Sequence, residues 1–308
     1  MLARVHTHPG DGLTAPGRQV KERQTERMKK VTIQGVRGCF HDAAAHHYFR
    51  GEDVETVSCE TFPEMFQTLA ADPSLLGVAA IENTIAGSLL QNHELLRQSG
   101  LAVVGELKMR ISHVLCALPG QTLDDIREVN SHPMALMQCE AWLRRHPWMK
   151  LVEHSDTAGS ARDIAEGALA GHAAVCGEYA ARLYGLDILE SGIETNRRNF
   201  TRFLVLADPL SAQRYAPAEL EVNKASLVFT LPHEQGALSK VLAILSFYDM
   251  NLTKIQSTPI VGREWEYRFY VDLAFSSPLR YRQALEAVRP LAGELRVLGE
   301  YTACTEEI

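Results

Sequence analysis

Short apolar runs alternate with stretches of helical period along the first two thirds of the chain. Residues 30–34 read as a strand, Gly35-Val36-Arg37-Gly38 as a turn, and residues 41–49 as a helix. Val54-Glu55-Thr56-Val57 gives a second strand, Phe62 opens a second helix, and Gly77-Val78-Ala79-Ala80-Ile81-Glu82 is a nearly continuous apolar strand. Continuous apolar strands between helices are those covered on both faces, which predicts an α/β lobe with a largely parallel sheet. A second unit repeats the grammar with strands at 111–118 and 173–176, a short helix at 122–126, a helix over 133–145 and another opening at Asp156-Thr157. Residues 201–207 form the closing strand, so two lobes with a cleft between them account for residues 29–208.

The grammar then changes. Residues 209–221 are polar and rich in Pro and Ala, as a linker would be, and residues 222–308 read strand, helix, strand, strand, helix, strand. That order is the split βαβ sandwich of ferredoxin-like domains. Within the body, lobe one takes 29–108 and 190–208 and lobe two 109–189, while residues 1–28 read as a disordered tail. The first 27 residues contain no apolar segment of the secretory type.

Composition narrows the function. The net charge of −7, from 38 acidic and 31 basic side chains, argues against bulk nucleic-acid binding. No apolar run approaches the ~20 residues that span a bilayer, so no membrane partner is expected. The six cysteines form neither a CxxC pair nor a zinc spacing, and they read as buried free thiols in a reducing, cytoplasmic setting.

The candidate chemistry collects at strand ends. In Asn199-Phe200-Thr201-Arg202-Phe203 a hydroxyl and a guanidinium start an otherwise apolar strand, where polar groups usually face a cleft rather than a core. Thr201 lacks any motif that would supply a base, so it suits hydrogen-bond donation to a leaving oxygen better than nucleophilic attack. Arg202 either neutralises an anionic substrate or points the other way, since alternation puts neighbours on opposite faces. Gly35 and Gly38 make a turn that is either a plain turn or one lining a pocket. Asn83 and Thr84 either cap a helix or present amide and hydroxyl to a ligand at a strand C-terminus. Ser131-His132-Pro133 reads as a capped helix start with Gln138 two turns on, and Asp156-Thr157 repeats the capping logic. In the last domain, small residues Gly236 and Ala237, with Leu238, enter a helix, and Gln256-Ser257 ends the next strand.

These residues resemble the prephenate dehydratase family. Thr201-Arg202-Phe203 matches its signature tripeptide, Asn83 with Gly87 its Asn-x-x-x-Gly segment, and the run from Ser131 to Cys139 another long block. The final domain resembles the amino-acid-binding ACT domain. The resemblance implies a body like a periplasmic binding protein. It implies decarboxylating dehydration of prephenate to phenylpyruvate, in phenylalanine biosynthesis, with no metal or organic cofactor. Arogenate dehydration and a non-catalytic amino-acid- or solute-binding role are the alternatives. It further implies Thr201 as the acid for the departing hydroxyl. Asn83, Thr84, Ser131, Gln138, Thr157, Arg202 and Phe203 would be the substrate contacts. Phenylalanine would bind as inhibitor near Gly236, Ala237, Leu238, Gln256 and Ser257, in a homodimer or homotetramer. Cys39 stands where the family usually has Ser or Thr, and Gln256-Ser257-Thr258-Pro259 where it usually has Glu-Ser-Arg-Pro.

Overall fold

The structure, a computed structural model, describes residues 28–215 and 221–306. The expected tail before Met28 and residues 216–220 of the expected linker lie outside the described residues.

The first sheet has the order β2 (Val54–Cys59), β1 (Lys29–Gln34), β3 (Leu76–Asn83), β11 (Phe200–Ala207), β5 (Ala102–Arg110), with the two-residue β4 (Gly87–Ser88) beside β3. The second has the order β10 (Asp187–Ser191), β6 (Val114–Ala117), β9 (His172–Cys176), β7 (Glu128–Ser131), β8 (Lys150–Glu153). Both are mixed rather than largely parallel. Strand β1 pairs in parallel with β2 and β3, but β11 runs antiparallel to both β3 and β5. The reason is topological: β11 returns from the second lobe and inserts into the first sheet against the direction of β3. That strand brings Thr201 directly opposite Asn83.

Helices α1 (Phe40–Tyr48), α2 (Phe62–Ala71) and α3 (Leu90–Ser99) cover the first sheet. Strand β11 alternates cleanly between two cores. Phe203 and Val205 join Val31, Ile33, Ala44 and Ala45, whereas Leu204 and Leu206 join Met65, Leu69 and Leu96 on the other face. The helix expected over 133–145 is broken at Cys139 into α4 (Pro133–Gln138) and α5 (Glu140–Leu143). Its N-cap is His132 and not Ser131. The second lobe is completed by α6 (Thr157–Glu166) and α7 (Glu178–Leu183), and a helical turn, α8 (Pro209–Ala212), follows β11 where linker was expected. Among the described residues no helix is long and apolar enough to cross a membrane.

The terminal domain is a βαββαβ unit: β12 (Lys224–Thr230), α9 (Ala237–Phe247), β13 (Asn251–Pro259), β14 (Tyr267–Ala274), α10 (Pro278–Val288) and β15 (Glu294–Tyr301), with sheet order β13-β14-β12-β15. Its two helices cover one face. The other face lies on the two-lobed body, where Val228, Tyr270, Leu298 and Tyr301 pack with Leu101, Val103, Leu204 and Leu206. The approach is close: a Cβ at Gly299 would sit 2.1 Å from the Val103 carbonyl oxygen, so only glycine fits.

Candidate active site

Thr201 sits at the C-terminal edge of β3, held there by the antiparallel pairing. Its hydroxyl accepts a 2.9 Å hydrogen bond from the Asn83 amide, Nδ2 to Oγ1. Asn83 is itself immobilised, because its Nδ2 also donates to Asn199 Oδ1 at 2.8 Å and its Oδ1 accepts from the N–H groups of Ile85 and Ala86. With one lone pair of Thr201 engaged, its own proton is left to point into the adjoining cavity.

That cavity, about 380 Å³, lies between the two lobes. The first lobe lines it with Cys39, Phe40, His41, Asn83, Thr201 and Phe203, and Gln138, Asp156 and Thr157 close it from the second. It brings together five of the expected site residues: Thr201, Asn83, Gln138, Thr157 and Phe203. Gln138 ends α4, and its Oε1 lies 2.9 Å from His113 Nε2. With the imidazole donating there, the amide N–H groups of Gln138 are turned to the cavity. Burial lowers the His113 pKa against the opposing pull of Gln138 and Glu194, so a neutral ring is the stable form.

Three expected contacts lie elsewhere. Arg202 is on the opposite face of β11, away from the cleft. Its guanidinium binds Glu106 at 2.6 Å, Asp272 of the terminal domain, and the Tyr301 hydroxyl at 3.0 Å. Strand alternation sends Thr201 into the cleft and Arg202 into the domain junction. Ser131 is fully buried at the end of β7, and its hydroxyl donates to the Val175 carbonyl at 2.5 Å. Thr84 ties down the chain crossing between the lobes: Oγ1 donates to the Arg198 carbonyl at 3.1 Å and accepts from the Phe200 N–H at 2.9 Å.

Sequence reasoning passed over three cavity groups. His41 follows the glycine turn; it packs edge-on against Phe203, its Nε2 accepts from the Ala80 N–H, and burial brings its pKa down to about 4. His113 lay within an apolar strand, where a lone histidine is easily read as core. Asp156 carries only a helix-cap signal in the sequence, and it does cap α6, with Oδ1 accepting from the Gly159 N–H at 2.8 Å. Cys39 lines the cavity as a thiol, which burial above all pushes up to about 12.

The family model described as PDT, prephenate dehydratase, matches residues 31–210. The chain belongs to the prephenate dehydratase family. Among curated relatives, "Arogenate dehydratase/prephenate dehydratase 2, chloroplastic" of Arabidopsis thaliana is 37% identical over 289 residues, covering 90% of this chain and 73% of that protein. Among solved structures, the prephenate dehydratase of Arthrobacter aurescens in complex with L-Phe is 27% identical with a TM-score of 0.76, covering 89% of this chain and 90% of that one. A structure titled "GqqA- a novel type of quorum quenching acylases" is 29% identical with a TM-score of 0.78, covering 90% of this chain and 99% of that one.

The expected phenylalanine site falls in the terminal domain. Ala237 and Leu238 line a small cavity of about 130 Å³ together with Trp265, Tyr267 and Phe269. Gly236 caps α9 with φ 77°, a left-handed conformation that glycine adopts freely. Gln256 and Ser257 lie on the edge strand β13, paired with Tyr270 and Phe269.

Proposed function

We propose that the protein is a dehydratase that converts arogenate to phenylalanine and, as its second substrate, prephenate to phenylpyruvate. The family resemblance implies prephenate as the main substrate; arogenate has the better support, because the relative from Arabidopsis thaliana carries both names with arogenate dehydratase foremost.

The observation that carries the reaction is the Asn83–Thr201 hydrogen bond at the cleft wall. As the ring carboxylate leaves as carbon dioxide, its bonding electrons move into the ring and expel the ring hydroxyl, which departs as water. The ring becomes aromatic, so no strong base is needed. Thr201 supports the step by donating a hydrogen bond to the departing oxygen, and the proton consumed is drawn from solvent. Asn83 fixes the rotamer of Thr201, so the donor is aimed before the substrate arrives. The Gln138 amide, and the N–H groups opening α1, suit the substrate carboxylates. The acylase reading has less support: among the described residues the Thr201 hydroxyl is hydrogen-bonded to the Asn83 amide and to no basic side chain, and the Cys39 thiol is pushed up to about 12.

Feedback by phenylalanine at the α9 entrance completes the proposal, supported by the relative solved with L-Phe. The test offers arogenate and prephenate separately to the wild type and to Thr201→Ala, following phenylalanine and phenylpyruvate. The variant should lose about 10²-fold or more in kcat with KM little changed. Turnover like that of the wild type would remove Thr201 from the mechanism.

A further inference from the structure

The charges around the cleft are lopsided. Among the residues lining it there is neither lysine nor arginine, and Asp156 supplies its single carboxylate. Asp156 sits at the mouth of the second lobe as the N-cap of the ten-residue helix α6. Its Oδ1 is engaged by the Gly159 N–H at 2.8 Å, while Oδ2 faces the glycine turn of the first lobe, 3.5 Å from where a Cβ on Gly35 would stand. Oδ2 has no hydrogen-bond partner among the described residues, and Asp156 makes no ion pair there. The nearby cation-forming side chain, His154, turns its Nε2 to Asp163 instead, at 3.0 Å.

An unpaired carboxylate is a poor feature in a pocket built only for a dianion. It repels both substrate carboxylates, and a keto oxygen placed against it would oppose acceptor to acceptor. An ammonium group reverses both terms. We propose that Asp156 recognises the α-ammonium of the substrate and thereby sets the preference for arogenate over prephenate. This rests on the dehydratase reading above and deepens it. The two substrates differ in the side-chain amino or keto group alone, so one charged acceptor is enough to separate them. The same carboxylate that attracts one disfavours the other.

The experiment compares kcat and KM for both substrates in the wild type and in Asp156→Asn, which keeps a side-chain oxygen for the helix cap. The expected result is a fall of about 10²-fold in kcat/KM for arogenate, mostly through KM, with kcat/KM for prephenate raised as the repulsion is removed. An arogenate-to-prephenate ratio that stays at the wild-type value, including an equal loss on both, would overturn the role of Asp156 and leave the dehydratase reading intact. A wild type that turns over neither substrate would instead overturn the dehydratase reading, and this assignment with it. Should Asp156→Asn fail to fold, Asp156→Ser, another strong helix cap without charge, carries the same comparison.

Discussion

Replacing Arg202 by Met should cost stability and leave substrate affinity alone. The guanidinium joins two buried carboxylates from different domains, Glu106 on β5 and Asp272 on β14, and also reaches the Tyr301 hydroxyl. Removing one partner of a buried ion pair typically costs about 3–5 kcal/mol, because the remaining charge stays desolvated. Here neither acid is stripped bare. Glu106 keeps Lys224 Nζ at 2.8 Å and the Cys304 N–H at 3.0 Å, and Asp272 keeps the Ser226 hydroxyl at 2.6 Å. The lower end, about 3 kcal/mol, is therefore expected, or a drop of about 6–12 °C in Tm if the domains unfold together. The pH dependence has a definite sign. Burial raises both carboxyls, but the adjacent Arg202 cation, helped at Glu106 by Lys224, more than offsets it and holds both below their ordinary range. Their contribution is thus fully present above about pH 4 and is lost as pH falls through the depressed folded values. The gap in Tm between wild type and variant should narrow below about pH 4. Differential scanning calorimetry at several pH values, with steady-state kinetics on the same preparations, checks both halves. An unchanged Tm together with a KM raised about tenfold or more would put Arg202 on the substrate and refute the reasoning.

Two further outcomes concern the terminal domain. Phenylalanine should bind the whole protein in a calorimetric titration, and Leu238→Asp, which puts a charge in the small α9 cavity, should abolish that heat while arogenate turnover persists; binding unaffected by this change would place the effector elsewhere. Light scattering at micromolar concentration should give a dimer or larger, since β13 has one open edge and Phe247 and Leu279 stand exposed on α9 and α10; a monomeric mass would count against that assembly.

The sequence by itself determined what is local. Apolar runs and helical periods marked most strands and helices of the body and the βαββαβ order of the terminal domain, because these patterns follow from backbone geometry alone. Motif order named the family and gathered eight residues at one expected site, of which Asn83, Gln138, Thr157, Thr201 and Phe203 line the cavity while Thr84, Ser131 and Arg202 do not. Even the split between Thr201 and Arg202 was implicit in strand alternation. What alternation leaves undecided is which face looks at the cleft. That depends on partners far along the chain: Asn83 lies 118 residues before Thr201, and Glu106 lies 96 residues before Arg202. Tertiary structure alone turned β11 antiparallel, buried the Ser131 hydroxyl against β9 and set His41, His113 and Asp156 on the cavity wall. It also laid the open face of the terminal sheet on the catalytic body. Each of these is decided by which surfaces exclude water from one another, and no window of sequence contains both surfaces.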